Sequence, residues 1–248
     1  MIFKKQCRLA LFVTVCSLLL GPAGYKSALS YDFQGWEHGS SGYIYAMMEA
    51  EEKEFPLILY FHMDTCEWSR KMNTKYLEPF KIWEFLSNIP KVEINPEREK
   101  GEDELSSKYK VTNFPCFLVL IPSLDVSPQR IHPFMEGADM TVEEFLGAIK
   151  EKIAYHYNSK GLELFKNNEY EEALRYYEKC LFFDPENSYA YYASGLSYHS
   201  MSFANNEPEL LKKAKKNYLK ALKINPDHQQ TRDELKKVIN DMAKLGIS

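Results

Sequence analysis

The C-terminal part of the chain repeats itself, and that repetition limits what it can build. Tyr157-x3-Gly161-x2-Leu164 matches Tyr191-x3-Gly195-x2-Tyr198 at an offset of 34 residues. Ala173, Tyr177, Cys180 and Asp184-Pro185 match Ala214, Tyr218, Ala221 and Asn225-Pro226 at an offset of 41. The seven extra residues of the second unit fall in its turn, around Met201 to Pro208. Beyond Ile153 the apolar spacing is helical throughout, with no strand signal. Each unit therefore predicts a pair of helices. Gly161 and Gly195 allow close approach from one helix, Ala173 and Ala214 allow it from the other, and the prolines end each pair.

A period of 34 residues with aromatic, Gly, Ala, aromatic and Pro at these places resembles the tetratricopeptide repeat. The resemblance implies helical repeats at about 154–187 and 188–228, with His228 to Leu245 as the solvating helix that caps such arrays. It also implies that these repeats bind partner proteins. Arrays of this kind usually need three or more units. Only two are visible, so packing on the N-terminal part is expected to supply the missing surface. Cys180 falls where the family places a small buried residue, and it reads as a small hydrophobe in a helix interface.

The N-terminal part has a different pattern. Residues 31–42 are rich in Gly and Ser and read as irregular. A helix is predicted from Tyr43 to Glu54, stopped by Phe55-Pro56. Leu57 to Phe61 is a continuous apolar run of strand length, as in a strand buried on both faces. Helical spacing resumes from Cys66 and again over Ile82 to Leu86. Strands follow at Lys91 to Asn95 and Cys116 to Ile121, separated by a charged, exposed helix over Gly101 to Tyr109. Arg130 to Met135 reads as an edge strand, because Pro133 cannot donate to a ladder. Thr141 with Glu144 forms a capping-box start. No Gly or Pro lies between Gly147 and Gly161, so the last helix of this part is expected to run into or abut the first repeat helix. The order is that of an α/β domain with a small central sheet.

The strand Leu57–Phe61, then Met63-Asp64-Thr65-Cys66-Glu67-Trp68-Ser69-Arg70-Lys71-Met72, resembles the strand–turn–helix of thioredoxins and their exported relatives. The resemblance covers roughly Tyr43 to Lys152 as a fold. In that family a Cys-x-x-Cys opens the first helix. Cys66 takes the first cysteine position here and Ser69 the second. Phe114-Pro115 matches the family's cis-proline, which faces the active-site cysteine. A helix N-terminus stabilises a thiolate, and the thiolate is the nucleophile of disulfide exchange. The resemblance thus implies that Cys66 attacks a client disulfide and that Pro115 positions its backbone. The Ser69 hydroxyl is expected to hydrogen-bond the Cys66 thiolate but cannot release the client as a second cysteine would. The buried acid of thioredoxins, six residues before the first cysteine, is Tyr60 here, which argues against efficient dithiol reduction. Cys116 follows Pro115 directly and is either a resolving partner of Cys66 or a buried strand cysteine. His62 either tunes the thiol or is structural.

Composition and charge narrow the classes. Hydrophobic residues are 45% and charged residues 27% of 248, which argues against a disordered chain or one spanning a membrane many times. Lys4, Lys5 and Arg8 precede an apolar run from Leu9 to Leu20 that Gly21-Pro22 breaks, the pattern of a secretory signal. Cleavage is expected after Ser30, with Ala23 as competitor; an uncleaved anchor is the alternative. Cys16 raises a lipoprotein reading that bulky Val15 disfavours. The expected organisation is a signal over 1–30, a thioredoxin-like domain over 31–152 and repeats over 153–248, exported to the periplasm or cell envelope, or secreted. Losing residues 1–30 takes the net charge from −4 to −8, since they carry four basic residues and no acid. So acidic a protein is a poor nucleic-acid binder. The run Lys212-Lys213-Ala214-Lys215-Lys216 reads as the wet face of a helix. No zinc spacing, phosphate loop or nucleophile elbow occurs, so neither metal nor cofactor is expected. Two functions remain open: thiol–disulfide exchange on client proteins selected by the repeats, or a non-enzymatic adaptor in which the redox task is lost.

Overall fold

In the computed structural model the described residues are 33–124, 126–134 and 138–247. The expected signal over 1–30, its cleavage sites, Cys16 and the Met135 end of the last strand lie outside them.

Apolar runs of strand length, Leu57–Phe61 and Cys116–Leu120, build the middle of the sheet. Its strands are β1 (Glu37–His38), β2 (Leu57–Phe61), β3 (Lys91–Ile94), β4 (Cys116–Leu120) and β5 (Gln129–Ile131), in the order β1-β3-β2-β4-β5. β1, β3 and β2 run parallel; β4 is antiparallel to β2, and β5 to β4. All five side chains of both β2 and β4 are buried. Alternation divides them between two cores. Ile58, Tyr60, Phe117 and Val119 pack with α2 (Glu67–Met72), the π-type segment Asn73–Leu77, α3 (Phe80–Leu86) and α5 (Val142–Lys166). Leu57, Leu59, Phe61, Cys116, Leu118 and Leu120 pack with α1 (Gly39–Lys53) and α4 (Lys100–Lys108).

Three sequence expectations need correction. Residues 31–42 were expected to be irregular, yet β1 and the first turn of α1 lie there. The start of α1 is held by Glu99, whose Oε1 accepts from Ser40 N at 3.3 Å and Ser40 Oγ at 2.5 Å. The charged α4 is not wholly exposed: Glu102 is buried and accepts from Asn95 N at 2.5 Å. β5 is three residues long and ends before Pro133, which lacks the donor a ladder requires.

α5 begins at the expected capping box. Thr141 Oγ1 accepts from Glu144 N at 3.1 Å and Glu144 Oε2 accepts from Thr141 N at 2.7 Å. The helix then runs 25 residues without a break, so position 152/153 falls inside it. Its first half covers the sheet and its second half is the first helix of the first repeat. α6 (Tyr170–Phe183) completes that repeat, α7 (Ser188–Ala204) and α8 (Leu210–Ile224) form the second, and α9 (Gln229–Lys244) packs on α8. One core runs from Ile58 and Phe145 through Ile153 and Tyr157 to Tyr177 and Ala190. The sheet thus supplies the surface that two repeats lack. At the junction Tyr157 Oη donates to Glu54 O at 2.8 Å, and Glu54 takes Arg175 and Lys179 as ion-pair partners. Phe55 packs against Phe182 and Phe183, with ring centroids 5.6 and 5.2 Å away.

The repeat glycines are there for contact. A Cβ on Gly161 would sit 2.5 Å from Tyr177 Cε1, and one on Gly195 2.5 Å from Tyr218 Cε1. Both rings are fully buried and have no room to yield. Gly147, in the same helix as Gly161, has nothing within 4 Å of its would-be Cβ. Alanine in a helix gains up to about 1 kcal/mol over glycine, whereas overpacking costs about 1–3 kcal/mol. Thermal melting should therefore rise for Gly147→Ala and fall for Gly195→Ala. Equal shifts for the two would contradict the close-contact account.

Candidate thiol site

Cys66 is the residue before α2, with extended backbone (φ −82°, ψ 121°), and it is partly exposed. The turn that presents it is closed by Cys66 N donating to Met63 O at 3.1 Å. Its thiol lies 3.6 Å from Phe114 O, to which it donates. The Phe114–Pro115 peptide bond is cis. It lies beside Cys66 because β4 pairs with β2 in the register Phe61↔Cys116, which brings the segment before β4 to the end of β2. On the outer side Trp68 is 51% exposed and packs against Phe134 at 5.1 Å, with Lys71 Nζ over both rings. The result is a reachable sulfur with an aromatic rim and a backbone carbonyl facing it.

Ser69 is buried, and its hydroxyl accepts from Met63 N at 3.3 Å instead of turning to Cys66. It braces the turn. Tyr60, where the resembling family places an acid, donates to Asn73 Oδ1 at 2.7 Å and Ser69 O at 3.3 Å, tying the same helix to β2.

Cys116 is not brought to Cys66. Its side chain enters the core shared with α1 and α4, while α2 covers the opposite face of the sheet. Arg130 Nη1 donates to Cys116 Sγ at 3.0 Å, and Arg130 Nη2 is held by Tyr109 O and Lys110 O at 2.6 and 3.0 Å. Burial pushes the Cys116 thiol up, with Arg130 acting against it. Of the two readings open for Cys116, this placement is that of a buried strand cysteine. Cys180 is fully buried. Burial, and after it Asp184, push its thiol up to about 12 against a hydrogen bond with Asn158. All three described cysteines are free thiols.

Of the charged network beside the turn, the sequence pointed only to His62. Glu93, in the middle of β3, is 1% exposed. Its carboxylate meets His62 Nε2 at 2.5 Å, His38 Nδ1 at 2.7 Å and Arg98 Nη1 at 2.6 Å. Arg98 also reaches Asp64 at 3.5 Å. Burial alone would raise the Glu93 carboxyl. Hydrogen bonds from His62 and His38, then the charges of His62 and Arg98, hold it down at about 2. His62 stacks on Tyr60 at 5.2 Å, so its place is structural: it joins β2 to β3 under the turn that carries Cys66. For Glu93 the only signal was an acid inside the strand Lys-Val-Glu-Ile. Among the described residues no cluster of His, Cys, Asp or Glu could hold a metal ion, and no helix is long and apolar enough to cross a membrane.

Family models match the repeats, and solved structures are similar over part of the chain. A tetratricopeptide-repeat family model matches residues 154–187. A second tetratricopeptide-repeat model matches 209–228, the α8 side of the second repeat. The second repeat is seven residues longer than the first: four lengthen α7, two the turn and one α8. Among solved structures, a thioredoxin from Thermus thermophilus is similar at 20% identity and a TM-score of 0.38, over 48% of this chain and 87% of that one. A DsbH oxidoreductase is similar at 19% and 0.36, over 52% and 93%. Thioredoxin O2 from Arabidopsis thaliana is similar at 13% and 0.36, over 49% and 97%. No curated protein matches the chain. With a mixed sheet of this order, helices on both faces and two matched repeat segments, the chain joins a thioredoxin-like fold to tetratricopeptide repeats.

Proposed function

We propose that this chain is an exported thiol–disulfide exchange protein that holds client proteins through Cys66 while its helical repeats select the partner. The observation that carries the reading is the position of Cys66: partly exposed, at the start of α2, and facing the Phe114–Pro115 segment. In the step proposed, the Cys66 thiolate attacks one sulfur of a client disulfide. A new S–S bond forms, and the client's other sulfur leaves as a thiolate, with no net change in oxidation. Ser69 offers no second sulfur and Cys116 faces another core, so the adduct persists. A low-molecular-weight thiol or a partner dithiol resolves it by a second exchange, taking the disulfide onto itself. The basic and apolar start of the chain supports export.

The same two facts, a buried serine and a turned-away cysteine, favour a second reading, in which the site is inert and the repeats alone act as an adaptor. Electrophoresis without reductant, after alkylation of cell-envelope extracts, separates them. Covalent adducts are expected with the intact chain, lost with Cys66→Ser and kept with Cys180→Ser. Adducts that survive Cys66→Ser, or none with the intact chain, leave the adaptor reading.

A further inference from the structure

α8 carries six lysines and no acid, in a chain whose net charge is −4. Like charges three and four apart on one helix repel one another, as Lys212, Lys216 and Lys220 do here. Few are neutralised locally. Lys212 pairs with Glu209 at 3.1 Å. Lys213 and Lys220 sit over the rings of Tyr198 and Tyr191 at 5.3 and 4.9 Å. Lys215, Lys216 and Lys223 make no ion pair among the described residues.

All of these lysines except Lys213 border a shallow groove of about 490 Å³ whose floor is Leu219 and Met242, the latter from α9. Leu219 is 50% exposed, on the face of α8 opposite the one that buries Tyr218 and Ala221. Lysine stems extend such an apolar floor while their ammonium groups stand at its rim. From Lys212 to Lys223 the groove follows α8 for roughly 16 Å at the helical rise, about three turns. A row between two packed helices takes the ridge of a third helix well.

We propose that the α8–α9 groove docks an acidic amphipathic helix of a partner protein, with one apolar side chain seated on Leu219 and carboxylates paired to Lys216, Lys220 and Lys223. Charge complementarity carries the choice of occupant: the patch is basic throughout, it has few counter-charges of its own, and it belongs to a chain that is acidic overall. A bilayer is a poorer fit, since a single half-exposed leucine offers little to insert. This docking involves no chemistry at Cys66 and stands apart from the thiol site.

The test is fluorescence anisotropy of the full chain with a labelled sixteen-residue peptide, leucines at helical spacing and glutamates elsewhere. Comparators are the same peptide with its leucines changed to alanine, the same peptide with its glutamates changed to lysine, and phosphatidylglycerol–phosphatidylcholine vesicles. The leucine–glutamate peptide is expected to bind at low salt, at least tenfold more tightly than either comparator peptide. Lys216→Glu with Lys223→Glu should weaken it at least tenfold, and Leu219→Ser severalfold, with melting temperatures no lower than that of the unaltered chain. Should the charge reversals lower the melting temperature, Lys216→Gln with Lys223→Gln replaces them. The proposal is overturned if the peptide does not bind or binds equally without its leucines. It is also overturned if the variants bind it unchanged, or if the vesicles displace it.

Discussion

Glu93→Gln should cost the folded chain about 3–5 kcal/mol, the range for removing one partner from a buried ion pair. The substitution keeps the volume and removes the charge that His62, His38 and Arg98 share. Arg98 would then stand beside a neutral amide with only Asp64 left as a carboxylate partner, 3.5 Å away. The sign of the pH dependence is fixed by the same group. The Glu93 carboxyl is held at about 2, below its ordinary 4.5. Its contribution is therefore complete above pH 4.5 and is lost as pH falls from there toward 2. A depression of that size corresponds to about 3 kcal/mol, which agrees with the cost expected of the substitution. Chemical denaturation at pH 7 and pH 3 checks both. The wild-type chain should lose most of its advantage over Glu93→Gln at pH 3. A Glu93→Gln penalty under about 1 kcal/mol at pH 7, no larger than that of an exposed pair, would show that the network adds nothing net.

The second large effect lies at the junction. Tyr157 is fully buried, stacks on Phe183 at 6.0 Å and donates to Glu54 O at 2.8 Å. Tyr157→Ala removes a ring from the stretch of core that links the sheet to the repeats, and should cost about 3–5 kcal/mol. Tyr157→Phe keeps the ring and should cost about 0.5–1.5 kcal/mol, the worth of one hydrogen bond. Because α5 is continuous and the core is shared, the wild-type chain is expected to melt in one calorimetric transition. Tyr157→Ala should split it, with the helical half melting first. Two transitions in the wild-type chain would mean that the halves are joined only by the helix backbone.

These two residues also show what the sequence could tell. That α5 starts at Thr141 and meets the repeats with little linker was legible because the causes are local: a capping box and no Gly or Pro between 147 and 161; these leave open whether it runs on or merely abuts. The repeats were legible because Gly161 with Tyr177 and Gly195 with Tyr218 make the same contact twice. The facing of Cys116 was not. Leu57–Phe61 and Cys116–Leu120 are buried on both faces, so the apolar pattern cannot say which face a given residue takes. The start of α1 was missed because Glu99 holds it from 59 positions away. Glu93 was missed for the same reason, since His38, His62 and Arg98 come from three separate segments. The resemblance turns the Ser69 hydroxyl to Cys66, but in the structure the Met63 amide inside the turn donates to it.

The account stands on Cys66 being the one described sulfur open to exchange. Incubating the folded chain with oxidised glutathione and digesting it under non-reducing conditions for mass spectrometry tests that directly. With residues 1–30 removed, and Cys7 and Cys16 with them, one glutathione per chain is predicted, bound at Cys66, with Cys116 and Cys180 modified only after denaturation. Glutathione on either buried cysteine of the folded chain, or none on Cys66, would contradict it.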